Sequence, residues 1–372
     1  MIQSLQALRL VFVMLIFMSH FNLPPTSFDF GGDCGVAFFF MLSGFVLSLS
    51  YGKSIEKKTF HHKRFLYKRL SKLYPLHLLC LFAFIVLHLH RMNGGDCLRL
   101  LPNLFLLQSW LPDSDFYYSG NGVSWFLSSL LPAYIIFPWI YKGVCKLSGN
   151  VLAVSSMLWA AIYILCARHV PEPKVQWLLY VFPPTRMTDF TIGVVAYRIY
   201  TQAEITKRTC RMRSHNIYAI GILLLATGVA AALSYPYLPA YLRTSFIYWP
   251  FLPAIIILAT ACDAFPKGFI RVFRMPLIQK GGDLSFEIFM VHQLVINLLL
   301  VVGYRISPHP NYALTLALCL SFTFVFAWMT RRIISFNMGR TTPHGMADSP
   351  VKQKDLPECI KQNTCQTVKK TQ

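Results

Sequence analysis

The sequence predicts an all-α protein, a polytopic transmembrane helix bundle of about ten spans with its N and C termini in the cytoplasm. Three observations predict it. Of the 372 residues, 55% are hydrophobic and only 13% charged, where soluble domains carry about 25% charged residues. Runs such as Ile217–Leu233, Phe246–Cys262 and Tyr312–Met329 approach the roughly 20 residues that cross a bilayer as a helix. The 35 Lys and Arg, against 15 Asp and Glu, gather between such runs on alternate loops. A soluble chain of this length would divide into two or three domains. The membrane reading makes residues 1–335 one bundle and leaves 336–372 as a polar cytoplasmic tail, expected to be disordered.

Taken in order, the expected spans are Leu5–Leu23, Gly35–Tyr51, Leu73–His90, Val123–Tyr141, Val151–Ala167, Trp177–Ile199, His215–Leu233, Phe246–Cys262, Asp283–Gly303 and Tyr312–Arg332. The first lacks a basic leader and a small-residue cleavage site, so it reads as a retained helix and not a signal peptide. Leu98–Leu111 is apolar but short, which suggests a re-entrant or interfacial segment. Residues 53–72 hold eight Lys or Arg, 142–148 two, 200–214 four and 263–276 three. The alternate loops hold only Arg91, Arg99, Arg168, Lys174, Arg243 and Arg305. The positive-inside rule therefore places both termini in the cytoplasm.

Positive charge distributed this way reports topology; no nucleic-acid motif accompanies it, so no nucleic-acid partner is expected. Ten cysteines form no CxxC pair and no metal-like spacing with histidine, so no metal site is expected. Cys80, Cys166, Cys262 and Cys319 read as packing residues, while Cys34 and Cys97 fall in expected outer loops where a disulfide is conceivable. No internal repeat is visible.

Ionisable residues at membrane depth are costly, which makes each a functional candidate. Arg9 and His20 are eleven residues apart in the first span, three turns and about 20°. They share a face, about 16 Å apart along the axis. A snorkelling arginine with a satisfied histidine at the far end is the plain alternative. Ser43, Gly44 and Phe45 end an apolar stretch whose small residues suit close helix packing. Arg69 and Lys72 share a helix face before Pro75. They are either part of a solvated positive loop or a cradle for phosphates held by charge-assisted hydrogen bonds. Trp125 is an interfacial anchor or part of a site. Arg186 and Asp189, three apart, suit a buried ion pair that either is structural or lines a polar tunnel. His292 shares a face with Ser285, while Glu287 points elsewhere.

In this order the segments resemble the bacterial acyltransferase-3 family of integral-membrane O-acyltransferases, over about residues 5–335. The likeness rests on Arg9 and His20; on Phe39, Phe40, Ser43, Gly44 and Phe45; and on Arg69 with Lys72 before Tyr-Pro. It continues through the Trp125-led helix, then Arg186, Asp189, Phe190 and Gly193, then Gly282, Asp283, Ser285 and His292. Many members carry a glutamate in the fourth helix where this chain has Leu130 and Leu131, and Lys72 stands where the family pattern has arginine.

The resemblance implies acyl-CoA, most simply acetyl-CoA, as donor substrate, with no bound cofactor. It implies a surface or lipid-linked polysaccharide as acceptor, a bacterial inner-membrane location and contact with polysaccharide assembly machinery. In this reading His20 is general base or acyl carrier, and Arg9 orients the donor or stabilises the developing oxyanion. Arg69 and Lys72 hold CoA phosphates, and Ser43, Trp125, Arg186, Asp189 and His292 contribute to substrate binding. A transporter or flippase for a glycan or small polar solute is the rival expectation, since intramembrane Arg, His and Asp also serve proton relays. A non-catalytic subunit of an assembly complex is a third.

Overall fold

Prolines, glycines and caps decide where the long apolar runs of this chain become helix. The computed structural model describes residues 2–21, 31–202, 237–262 and 268–341, with isolated positions between 226 and 234. Among the described residues the structure is helical, without strands. Helix α1 (Gln3–His20) is followed by α2 (Gly32–Glu56), α3 (His62–His88), α4 (Gly94–Leu104), α5 (Ser114–Tyr117), α6 (Trp125–Lys146) and α7 (Gly149–Ala167). The second half contains α8 (Glu172–Val175), α9 (Pro183–Gln202), α10 (Leu252–Cys262), α11 (Pro276–Asp283), α12 (Ser285–Ile306) and α13 (Tyr312–Thr341).

Seven helices, α1, α2, α3, α6, α7, α12 and α13, are long and apolar enough to cross a membrane. They coincide with seven of the ten expected spans. Of the other three, two differ and one, His215–Leu233, lies almost entirely outside the described residues. The expected Trp177–Ile199 span is broken: Gln176–Val181 forms a π-helical turn, Phe182 is extended (φ −60°, ψ 128°), and α9 starts at Pro183. The residue before a proline is driven out of the helical region, and proline suits the first helical position. The Phe246–Cys262 span is helical only from Leu252, after a 3-10 turn over Ser245–Tyr248 and Pro250.

Three boundaries also move. Helix α3 begins at His62 and runs through Pro75, so the basic stretch expected as a loop is itself helical. Its Lys, Arg and Leu residues are good helix formers. Asp283 closes α11 instead of opening the next span. Helix α13 runs on to Thr341, into the first residues expected for the tail; 342–372 lie outside the described residues. Cys34 and Cys97 lie in α2 and α4, and both are free thiols, so the conceivable disulfide does not form.

Helices α2, α6 and α9 make the centre. In α6 and α2, 67% and 61% of the apolar window is buried, against 17% in α7 and 22% in α3. The last two instead expose Val154, Met157, Leu158, Leu165, Phe82 and Val86, as lipid-facing helices do. The tightest crossing joins α2 to α9. A Cβ at Gly44 would collide with the Phe190 carbonyl, and one at Gly193 with the Met41 carbonyl. Only glycine on both helices permits that approach, and it locks α2 against α9 at the centre of the bundle.

Candidate active site

Helix α1 runs past two cavities, and its two ionisable residues mark one each. The His20 cavity, about 760 Å³, is lined by Ser19, His20, Asp33, Asn121, Trp125 and Gln293 among others. The Arg9 pocket, about 90 Å³, is lined by Arg9, Ser43, Arg69, Lys72, Leu130, Tyr134 and Ser285, with Phe39, Phe126 and Phe289. Phe289 lines both. Its ring lies 5.0 Å from that of Phe126, and Phe126 lies 4.6 Å from Phe40. A layer of aromatic rings therefore separates the two spaces.

At the larger cavity the hydrogen bonds define the histidine chemistry. His20 Nδ1 lies 2.8 Å from the Ile16 carbonyl oxygen. A carbonyl only accepts, so Nδ1 carries a proton, and in the neutral imidazole Nε2 carries the lone pair. The Ser19 hydroxyl donates to the same carbonyl at 2.8 Å. His292 repeats the arrangement: its Nδ1–H donates to the Phe289 carbonyl at 2.8 Å, and its Nε2 is buried without a hydrogen-bond partner. The two imidazoles meet edge to face, centroids 4.9 Å apart. His292 is fully buried and lies behind His20, not in the cavity wall where the sequence reading had it.

Trp125 is in that wall, buried against Tyr180 at 4.9 Å. The Asn121 side chain donates to the Met290 carbonyl at 2.8 Å, tying the turn before α6 to α12. Asp33 Oδ1 accepts from the Tyr248 hydroxyl at 3.0 Å and from the Cys34 amide at 2.8 Å.

At the other end, Arg9 from α1 converges with Arg69 and Lys72 from α3, a meeting of two helices that the within-helix spacings did not predict. Arg69 lies over the rings of Tyr51 and Phe65, 5.6 Å from each centroid, which holds the guanidinium by cation–π contact. Arg9 Nη1 donates to Gln6 Oε1 at 3.4 Å, and Gln6 in turn donates to Asp283. Ser43 donates to the Phe39 carbonyl at 2.8 Å and lies within hydrogen-bonding reach of Tyr134. Arg9 thus belongs with the other cations, three helical turns from His20. A direct role at the same reacting carbonyl as His20 does not fit that separation.

Arg186 and Asp189 line none of the cavities described here. Their ion pair, 2.9 Å long, is fully buried. Arg186 also donates to the Leu179 carbonyl at 2.8 Å and to Ser245 at 3.0 Å, and Asp189 accepts from Trp249 Nε1 at 2.7 Å. They tie α9 to the π-helical turn and to the segment before α10, a structural role in place of the expected site wall.

Sequence reasoning missed Glu287, Tyr134, Asp33, Asn121 and Gln293. Glu287 lies off the Ser285–His292 face as expected, but it is buried and within electrostatic reach of Arg331, Lys72 and Arg9, which the spacing did not show. Tyr134 follows Leu130 by one turn of α6, and that periodicity was the signal available for it. The Ser-Gly-Asn-Gly turn at 119–122, just before an apolar helix, was the corresponding signal for Asn121. Among the described residues no group of three His, Cys, Asp or Glu is placed to hold a metal ion.

The family model described as an acyltransferase domain matches residues 2–332. Acyltransferase MdmB of Streptomyces mycarofaciens is 28% identical over 289 residues, covering 72% of this chain and 68% of that protein. No solved structure matches. A family match over nearly the whole chain, with seven helices of membrane-spanning length, makes this a multi-pass membrane protein belonging to the acyltransferase-3 family.

Proposed function

We propose that the protein is an O-acyltransferase that takes an acyl group, most simply acetyl, from cytoplasmic acyl-CoA and places it on a hydroxyl of a surface or lipid-linked polysaccharide. The observation that carries this reading is the pairing of a cation pocket and a histidine hydrogen-bonded at Nδ1 at opposite ends of one helix. Arg69, Lys72 and Arg9 bind the phosphates of the donor, and the acyl arm passes the Phe126–Phe289 layer towards His20. Arg9 serves the donor and not the oxyanion.

In the transfer step the acceptor hydroxyl oxygen attacks the thioester carbonyl. His20 Nε2 takes the hydroxyl proton, the carbon–sulfur bond breaks, and the proton passes to the departing CoA thiolate. His292 fixes the plane of the His20 ring from behind. Trp125, Asn121 and Gln293 form the wall against which the acceptor lies, and Ser43 with Tyr134 lines the donor path.

In this reading the Arg69–Lys72 end faces the cytoplasm, with both termini on that side of the bacterial inner membrane, which the distribution of loop charges supports. His20 then opens towards the outer face, where surface polysaccharide and its assembly machinery are met. The test is transfer of label from acetyl-labelled acetyl-CoA in membranes holding wild-type protein or His20→Ala at matched expression. Label in a glycan fraction that requires His20 supports the reading; equal label in both samples removes His20 from the chemistry.

A further inference from the structure

Beside the His20 cavity lies a second depression, about 380 Å³, between the end of α3, α4 and the turn after α5. Phe84, Tyr118 and Gly120 line both spaces, so the two are neighbours across one layer of side chains. The lining mixes flat rings with hydrogen-bonding groups. Phe84 and His88 stack with centroids 4.2 Å apart and planes 22° apart. Asp96, Arg99, Ser114, Asp115 and Ser119 supply the polar atoms.

The groove is held by its own bonds. Arg99 is clamped between Asp96 at 3.3 Å and Asp115 at 3.0 Å. Asn103 Nδ2 donates to Ser119 Oγ at 2.6 Å, and Ser119 Oγ donates to the Arg99 carbonyl at 3.0 Å. Gln176, which lines the His20 cavity, donates to the Tyr118 hydroxyl at 2.7 Å. One side chain of the shared wall is thereby positioned from the reaction side.

Each space by itself falls in the range of roughly 300–1,000 Å³ that holds one small organic ligand. Together they exceed the need of a single ring. We propose that this side groove is a second acceptor subsite, holding the unit next to the one being acylated in an acceptor of at least two linked, hydroxyl-bearing rings. The Phe84–His88 stack offers a flat surface to the C–H face of such a ring, and the carboxylates and serines accept from its hydroxyls. A lipid chain suits the groove less, because it would strip water from Asp96, Arg99 and Asp115 without replacing their hydrogen bonds. The proposal rests on the His20 cavity being the acceptor site.

The test uses the full chain with Phe84→Ala/His88→Ala and, separately, Asp115→Asn, none of which touches the donor pocket. Two quantities are read: CoA binding to detergent-purified protein, and transfer of labelled acetyl from acetyl-CoA to the glycan fraction of native membranes. The expected result is a drop in glycan labelling of about tenfold for the double variant, with CoA binding unchanged. Wild-type labelling by both variants overturns the subsite. So does loss of CoA binding in parallel with transfer, since that marks general damage, and so does loss confined to label in a lipid fraction. Absence of both CoA binding and transfer in the wild type is a different failure, that of the acyltransferase reading from which the subsite follows.

Discussion

The two ends of the cavity system differ in the way a donor site and a reaction site should. The Arg9 end is small, lined by three cations and closed by aromatic rings. The His20 end is several times larger, with amides, a tryptophan and a single imidazole edge. Clustered cations recognise a polyanion without much shape, whereas chemistry needs one group with a fixed lone pair. The difference teaches that α1 is a spacer as much as a pair of ligands: its three turns separate anchoring of the donor from transfer of its acyl group.

If that division is correct, the largest effect falls at the His20 end. His20→Ala removes the base and should lower transfer by about 10³-fold, within the 10²–10⁴ typical of a positioned general base, while CoA binding stays at the wild-type level. Titration of CoA against both proteins in detergent checks the second half. Weakened CoA binding in the variant would merge the two ends into one site.

At the other end, Arg69→Ala removes a charge-assisted contact worth about 1.5–3 kcal/mol, so KM for acyl-CoA should rise roughly 10–100-fold with kcat little changed. Steady-state kinetics at saturating acceptor decides. A fall in kcat alone would place Arg69 in the transfer step.

A smaller effect is expected behind the reaction centre. His292→Asn leaves His20 in place but removes the ring that holds it at 4.9 Å. A misaligned base should cost about tenfold in kcat and leave KM for acyl-CoA unaltered. A merely structural residue would instead reduce the amount of folded protein, which size-exclusion elution of the purified variant reports separately.

The sequence made these residues legible to different depths. Arg9 and His20 were visible because a single straight helix converts spacing directly into shared face and separation. Arg69 and Lys72 were visible for the same reason, although the helix carrying them starts at His62, inside the expected loop and ahead of the expected span. Arg186 and Asp189 were visible as a pair, with a structural tie and a tunnel wall left as alternatives. Their partners, Leu179, Ser245 and Trp249, come from segments whose return to α9 no local pattern encodes. The side groove was invisible for a related reason, since it arises where the end of α3 meets α4 and the following turn.

Glu287 is the clearest miss, and it yields the smallest and most discriminating prediction. Helical periodicity places it off the Ser285–His292 face, correctly, but α12 meets α1, α3 and α13, so another face of the helix is also lined with charge. There its carboxylate, with Oε2 buried and unpartnered, lowers the positive potential that Arg9, Lys72 and Arg331 present to an incoming phosphate. Glu287→Gln keeps the shape and removes the charge. If the carboxylate only competes with the donor, KM for acyl-CoA should fall about threefold, the scale of one weakly screened ion pair, with kcat unaltered. A rise in KM would mean that Glu287 holds the cations in register. The donor end would then be a preorganised site like the His20 end, and the contrast between the two would narrow to size alone.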